Sequence, residues 1–263
     1  MKKVFFCVAL VVMLMPMMAV AQSALDGTWK IDMKKVEFPK KPDVYLLQDG
    51  MYECKTCVPE YKIKADGSDQ EVSGHPYVDT IAIKVVSDHE IEETDKKSGK
   101  VVATSTMSVS SDGNTLTVTF NDSSNTNGGA PVSGKGEATR VAKGPSGSNA
   151  ISGSWQNTKI ESISDNAITW SYKVNGEEVT MTSPTGQSYT AKDGTEAPMK
   201  GDPGVSSVAV KLMGKNAIEE TDKRDGKVIS IWKMTVAADG KSAKGVYEDK
   251  LRGTTTEYVA MKQ

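Results

Sequence analysis

Two copies of one acidic segment are the most chemically suggestive feature of the sequence. Glu-Glu-Thr-Asp-Lys begins at Glu92 and again at Glu219. Neighbouring carboxylates could bind a metal ion, for which oxygen ligands would favour Ca²⁺, or exchange protons with a substrate. Side chains of a strand alternate between its faces, so Glu93 and Asp95 would share one face. Because the segment runs into a Lys- and Gly-containing turn, we expect a solvated hairpin end paired with lysines, no metal ligand and no catalytic residue.

Cys54 and Cys57 form a C-x-x-C arrangement, and the third cysteine is Cys7. Such a pair can be a disulfide, a redox-active dithiol or half of a zinc site. Val58 stands where haem attachment requires His, and no second cysteine pair follows. We therefore expect a structural disulfide, with redox and metal-binding roles as the alternatives.

Motifs of the common hydrolases are absent from the sequence. His75 and His89 are the only histidines, and both stand beside turn residues. The chain has no G-x-S-x-G, no H-E-x-x-H and no G-x-x-x-x-G-K-[ST] segment. We predict a protein that is not an enzyme and needs no cofactor. An isomerase or hydrolase working inside a barrel is the minority alternative.

Composition excludes several other classes of protein. The chain has 263 residues, of which 38% are hydrophobic and 25% are charged, as in an ordinary globular protein. Its formal net charge is -2. A charge so close to zero gives no general attraction to polyanions, so we expect no nucleic-acid partner.

The N-terminus has the pattern of an export signal. Two lysines precede an apolar run over residues 4–18 and an Ala-Val-Ala sequence that ends at Ala21. This pattern is typical of a cleaved signal peptide, here residues 1–21, with Gln22 as the first mature residue. We expect a secreted or periplasmic protein with no transmembrane segment after cleavage and no lipid anchor. A retained membrane anchor is the alternative.

Self-comparison shows that the chain contains two copies of one unit. The sequence Ile-Glu-Glu-Thr-Asp-Lys occupies 91–96 and 218–223, and the similarity continues on both sides. We predict repeat 1 over 22–143, a flexible Gly/Ser/Pro linker over 144–150, and repeat 2 over 151–263. One larger barrel shared by both repeats is the alternative.

Each repeat reads as a meander of strands. Apolar and polar residues alternate in segments such as 81–85, 115–120, 207–212 and 229–236, and Asp-Gly, Asn-Gly or Ser-Gly turns separate such segments. Closing a meander removes its exposed edges. We predict an all-β protein with two tandem antiparallel up-and-down β-barrels of about eight strands each and an apolar lumen.

The two repeats begin with related tripeptides, Gly27-Thr28-Trp29 and Gly153-Ser154-Trp155. Both resemble the G-x-W signature of the lipocalins. Each whole repeat, with its D-G hairpin, G-x-P turn and S-x-D-G strand pair, is similar to uncharacterised secreted bacterial proteins of lipocalin-like, calycin-type fold. The resemblance makes Gly27, Trp29, Gly153 and Trp155 structural signature residues.

The same resemblance implies a partner for the first tryptophan. In lipocalins the G-x-W tryptophan closes the base of the barrel under an arginine from near the last strand. Arg140 would have this role over Trp29. In repeat 2, Tyr258 aligns with Arg140, so the second copy departs from the pattern.

These features predict a secreted or periplasmic binding protein of unknown specificity that holds a small apolar ligand in a barrel lumen. They do not assign a ligand-binding residue. The alternative is a non-catalytic structural or interaction module of the cell envelope, with barrels filled by side chains and an unknown protein partner.

Overall fold

The computed structural model describes residues 23–263, so the predicted signal peptide and the predicted first mature residue lie outside the described residues. The first ten strands are β1 (Gly27–Ile31), β2 (Asp43–Gln48), β3 (Met51–Cys54), β4 (Tyr61–Lys64), β5 (Gln70–Glu71), β6 (Thr80–Ser87), β7 (Glu90–Lys97), β8 (Lys100–Val109), β9 (Thr115–Asp122) and β10 (Val132–Lys143). The next ten are β11 (Gly153–Ile163), β12 (Thr169–Asn175), β13 (Glu178–Thr182), β14 (Ser188–Lys192), β15 (Glu196–Pro198), β16 (Ser207–Leu212), β17 (Ala217–Arg224), β18 (Lys227–Val236), β19 (Ser242–Asp249) and β20 (Thr254–Lys262).

Short 3-10 turns at Met33–Lys35 and Asp165–Ala167 are the helical elements of residues 23–263. Neither is long and apolar enough to cross a membrane.

The strands form two antiparallel sheets that curl into nearly closed barrels. The first sheet has the order β4-β3-β2-β11-β10-β9-β8-β7-β6-β5, and we call it the N-barrel. The second, the C-barrel, has the order β14-β13-β12-β1-β20-β19-β18-β17-β16-β15. The predicted all-β fold with two barrels is confirmed, but each barrel has ten strands instead of eight. The short β5 and β15 span two and three residues, too few to produce an alternating pattern.

Each barrel contains the first strand of the other repeat. β1 belongs to repeat 1 but lies between β12 and β20 of the C-barrel. β11 belongs to repeat 2 but lies between β2 and β10 of the N-barrel. The sheets therefore cross the predicted repeat boundaries, and the expectation that each repeat closes a barrel from its own strands is wrong.

The exchange also changes the role of the segment between the repeats. Residues 144–150 are predicted to be a flexible linker, yet they are hydrogen-bonded to the N-barrel. Asn149 N donates to Leu47 O at 3.0 Å, and Ala150 N donates to Asp88 O at 3.0 Å. β10 and β11 are neighbours in the N-barrel, so the chain stays in this barrel between them, and these bonds hold the connecting segment against it.

Each barrel has its own apolar core. The N-barrel core includes the fully buried Ile83, Ile91, Ile151 and Trp155. The C-barrel core includes Leu25 and Trp29, which come from the exchanged N-terminal segment, beside Val179 and Val208. The exchanged strands thus supply both G-x-W tryptophans to the opposite repeat's core.

Glycine begins both exchanged strands because of its backbone conformation. Gly27 has φ +119° and Gly153 has φ +139°, a region that other residues rarely adopt. The indole Nε1 of the tryptophan two residues later donates to a backbone carbonyl in each case, Trp29 to Leu25 at 2.8 Å and Trp155 to Ile151 at 2.9 Å. The two G-x-W segments therefore have the same local structure.

The cation above each tryptophan differs from the prediction. Arg140 Cζ lies 4.0 Å from the ring centroid of Trp155, so the prediction that Arg140 covers Trp29 is wrong. Strand exchange is the reason, since β11 now lies beside Arg140 on β10. Lys262 Nζ lies above Trp29, 5.1 Å from its centroid.

Strand register also corrects the alignment of Tyr258 with Arg140. Leu116 pairs with Ala138, and the matching Ala243 pairs with Ala260. Arg140 stands two residues after Ala138, and Lys262 stands two residues after Ala260. Lys262 is therefore the structural counterpart of Arg140, and both repeats keep a cation at this place.

The two cations should differ in their contribution to stability. The Arg140 guanidinium donates to Ser152 O at 2.7 Å, to Ala150 O at 2.6 Å and to Gly113 O, whereas Lys262 Nζ donates to Ala24 O at 3.0 Å. We expect R140M to lower the free energy of unfolding by about 3 kcal/mol and K262M by about 1 kcal/mol. Urea titrations of both variants measure this difference, and equal losses would contradict it.

Because each repeat supplies a strand to the opposite barrel, the two barrels should unfold together. Ile83 is fully buried in the N-barrel, and I83A should lower the free energy of unfolding by about 2–5 kcal/mol. We expect hydrogen exchange followed by mass spectrometry to show equal losses of protection in core strands of both barrels. V101A, at an exposed residue, serves as the control. Faster exchange confined to the N-barrel would show that the barrels unfold independently.

Candidate functional site

The acidic pairs of the duplicated segment lie inside the barrels. Glu220 and Asp222 on β17 are both buried, each with 7% of its surface exposed. Glu93 and Asp95 on β7 are half-buried. The alternate residues face outward, as shown by the ion pair between Glu92 Oε2 and Lys84 Nζ at 3.0 Å. The prediction of a solvated hairpin end is therefore wrong for the second Glu and the Asp of each copy.

Tyrosines hold the carboxylate of the C-barrel. Tyr172 on β12 donates to Glu220 Oε1 at 2.8 Å, and Tyr189 on β14 donates to the same oxygen. Ser230 on β18 donates to Asp222 Oδ2 at 2.7 Å. The lumen is thus polar along one wall, which contradicts the expectation of a wholly apolar interior.

The N-barrel contains the same arrangement in outline. Tyr45 and Tyr61 pair with the two sides of Cys54 in the sheet, as Tyr172 and Tyr189 pair with Met181 in the C-barrel. Tyr45 is therefore the structural counterpart of Tyr172, and Tyr61 is the counterpart of Tyr189. The Tyr61 hydroxyl lies 3.5 Å from Glu93 Oε1.

The two sites differ on the strand that pairs with the acidic strand, which is β18 in the C-barrel and β8 in the N-barrel. Asp222 pairs with Ser230, whereas the matching Asp95 pairs with Ala103, which has no hydroxyl. As a result, Asp95 Oδ1 is buried without a hydrogen-bond partner among residues 23–263. The C-barrel site is consequently the more completely hydrogen-bonded of the two.

Burial raises the pKa of all four carboxyl groups. The pKa of Glu220 rises to about 7 and that of Asp222 to about 6, in each case chiefly because desolvation disfavours the ionised form. In the N-barrel, desolvation and the adjacent Asp95 raise the pKa of Glu93 to about 8. Desolvation also raises the pKa of Asp95 to about 6. These groups change charge close to neutral pH.

A cavity of about 360 Å³ opens into the C-barrel lumen beside Glu220 and Asp222. Most of its wall is apolar or aromatic, with Trp170, Met181, Met199, Ile218, Trp232 and Tyr258 among the lining residues. The cavity therefore combines a hydrophobic wall with a small acidic patch.

Repeat 1 supplies part of the cavity mouth. The loop between β9 and β10 carries Asn125, whose Nδ2 donates to Asp202 Oδ2 at 2.9 Å and whose carbonyl accepts from Gln187 Nε2 at 2.7 Å. The Tyr77 hydroxyl donates to Asp202 Oδ1 at 2.8 Å. The cavity is therefore shaped by residues from both repeats.

The corresponding hairpin of repeat 2 reaches the N-barrel. Arg252, between β19 and β20, forms an ion pair with Asp43 at the start of β2. The backbone carbonyl of Arg252 also accepts from Lys41 Nζ at 2.9 Å. Each barrel thus receives a hairpin loop as well as a strand from the opposite repeat.

The other residues predicted from sequence lie away from this cavity. Cys54 and Cys57 are joined by a disulfide at the end of β3. The His75 ring packs edge-on against Tyr61, with centroids 5.8 Å apart, and His89 Nδ1 lies 3.2 Å from Val109 O. In the part of the chain that the structure describes, no group of three or more His, Cys, Asp or Glu side chains is arranged to hold a metal ion.

One signal in the sequence indicates the inward carboxylates. Ile91, Glu93 and Asp95 have the same parity along β7, as Ile218, Glu220 and Asp222 have along β17. A buried isoleucine, the second residue of each strand, indicates which parity faces the core. The tyrosines come from distant strands, so strand pairing rather than local spacing brings them to the site.

No model of a known protein family matches the chain. No curated protein matches it either. The similarity to lipocalins therefore stays a prediction from the G-x-W segments and the meander.

The raised pKa of Glu220 should make stability depend on pH. The folded state binds this proton more tightly than the unfolded state, whose pKa is near 4.5, so the free energy of unfolding falls as pH rises to about 7. We expect E220Q to match the unsubstituted protein near pH 4.5 and to be more stable at about pH 8, by on the order of 3 kcal/mol. Thermal unfolding across this range, with E219Q as an outward-facing control, measures the difference. A gain independent of pH would contradict the assignment.

Proposed function

We propose that the protein binds a small molecule in the lumen of the C-barrel. The cavity of about 360 Å³ carries the proposal, because it lies within the range of about 300–1,000 Å³ typical of ligand sites. Its Trp and Met side chains would bury the apolar part of a ligand, at about 25 cal/mol per Å² before the entropic losses of binding.

The polar wall would orient such a ligand. Glu220, Asp222 and the tyrosines that contact Glu220 converge on one side of the lumen. A few convergent polar groups within an apolar wall are typical of sites that fix the orientation of a bound molecule. The ligand would therefore have an apolar body and at least one polar group, a change from the wholly apolar ligand expected from the sequence.

We favour binding over catalysis. An enzyme acting inside the barrel is the competing function, and the pKa of Glu220, about 7, suits general acid–base chemistry. However, Glu220 Oε1 already accepts from two tyrosines and Asp222 Oδ2 from Ser230. Both groups are thus held as hydrogen-bond acceptors within a mainly apolar wall, which favours recognition.

We also propose that binding takes place outside the cytoplasm. The N-terminal signal pattern supports export. The disulfide between Cys54 and Cys57 fits the same proposal, because disulfides persist in oxidising compartments. Membership of a lipocalin-like group remains part of this proposal.

Filling the cavity should abolish binding. Met181 lines the cavity, whereas Thr182, the next residue of β13, is exposed on the outside. We expect M181W to remove binding of an environment-sensitive aromatic probe such as 1-anilinonaphthalene-8-sulfonate or the neutral N-phenyl-1-naphthylamine. T182W adds the same side chain outside the lumen and should leave binding unchanged.

Fluorescence titration of both probes, with native mass spectrometry of the purified protein, measures this effect. Equal binding by M181W and the unsubstituted protein would place the bound probe outside the cavity. If neither the fluorescence titrations nor native mass spectrometry detects a bound molecule, the result would contradict a binding function.

A further inference from the structure

The unpartnered polar atoms around the C-barrel cavity are mostly hydrogen-bond acceptors. Within residues 23–263, Asn125 Oδ1 and Asn166 Oδ1 are buried without a partner, and Trp170 Nε1 is the one cavity-lining donor in that state. The amide nitrogens are engaged, since Asn166 Nδ2 donates to Ala130 O at 2.9 Å and Asn125 Nδ2 to Asp202 Oδ2. Acceptors thus outnumber donors among the unpartnered polar atoms of the lining residues, and these surroundings favour a ligand that carries donors.

Glu220 adds a charged acceptor to the same lining. Its Oε1 accepts from Tyr172 and Tyr189, while its Oε2 accepts no hydrogen bond from the residues that the structure describes. Asp222 lies two residues further along the same face. A buried carboxylate is unfavourable when ionised and unpaired, so a cation in the cavity would stabilise it.

In the part of the chain that the structure describes, Lys233 is the one Lys or Arg residue that lines the cavity, and its charge does not fill this role. Its Nζ is held by Glu248 at 2.8 Å, with Glu219 at 3.8 Å. Neither of these glutamates lines the cavity, so the charge of Lys233 is directed away from Glu220.

Aromatic rings stand close to the acidic patch. The Tyr258 centroid lies 6.2 Å from the ring of Trp170 and 6.2 Å from that of Trp232, with interplanar angles of 89° and 66°. The three rings are thus differently oriented, and all three residues line the cavity. The faces of Trp and Tyr attract ammonium groups through their electron-rich π systems.

We propose that the C-barrel cavity binds a small organic cation, an apolar or aromatic body that carries a protonated amine. The ammonium group would donate to the unpartnered oxygen of Glu220 and to Asp222. The body would lie against Trp170, Trp232 and the methionines of the wall. This inference rests on the binding function proposed above and specifies the class of ligand.

Matched compounds separate the charge of the ligand from its shape. Phenyl, naphthyl and indolyl ethyl compounds, each as the amine, the alcohol and the carboxylate, keep the body constant while the head group changes. Titration calorimetry of the full mature chain should show that, for every body that binds, the amine binds at least about tenfold tighter than the alcohol. The carboxylate should bind weakest.

Substitution of the carboxylates tests where the preference arises. E220Q and D222N keep the side-chain shape but remove the charge, and each should reduce the preference for amine over alcohol several-fold while the alcohol still binds. E178Q removes a charge from an exposed position of β13 in the same barrel and should leave the preference unchanged. The two lumen variants are independent, so one remains informative if the other fails to fold.

The possible results distinguish this inference from the function on which it rests. Equal binding of amine and alcohol, or tightest binding of the carboxylate, would overturn the cation assignment and leave a binding function in place. A preference unaffected by both E220Q and D222N would also overturn it. Binding of none of the compounds, together with no effect of M181W on either fluorescent probe, would overturn the binding function itself.

Discussion

Both barrels depend on hydrogen bonds made by one exchanged strand. In each barrel, this strand fills the gap between the second and the last strand of the repeat that forms the rest of the barrel. Without β11, the edges of β2 and β10 would be unpaired in the N-barrel; without β1, the same would hold for β12 and β20 in the C-barrel. Unpaired backbone groups are unfavourable when buried and promote association when exposed. Each repeat satisfies this requirement with the strand that the other repeat provides.

This exchange explains the route of the chain. The connections from β1 to β2 and from β11 to β12 have to cross from one barrel to the other. With the strands exchanged, a hairpin loop of each repeat contacts the barrel of the other repeat. Asn125 of repeat 1 donates a hydrogen bond to Asp202, and Arg252 of repeat 2 forms an ion pair with Asp43. The lining of the C-barrel cavity therefore depends on both repeats.

Local patterns in the sequence predict the strands but not their partners. Alternation and Asp-Gly turns indicate the meander and the two barrels, since both arise from neighbouring residues. Strand exchange leaves no local trace, because Gly27 and Gly153 each begin a strand of the same character whichever strand it pairs with. The inward position of Glu220 follows from the parity of Ile218. Its contacts with Tyr172 and Tyr189 require the register of distant strands.

Reciprocal exchange gives the molecule the interlocked arrangement of a symmetric dimer, contained in a single polypeptide. In a true homodimer, every substitution appears on both sides of the twofold axis. Here the halves have diverged separately: Trp232 pairs with Glu220 in one barrel, while Ser105 pairs with Glu93 in the other. Covalent fusion thus allows one compartment to specialise while its twin keeps a different interior.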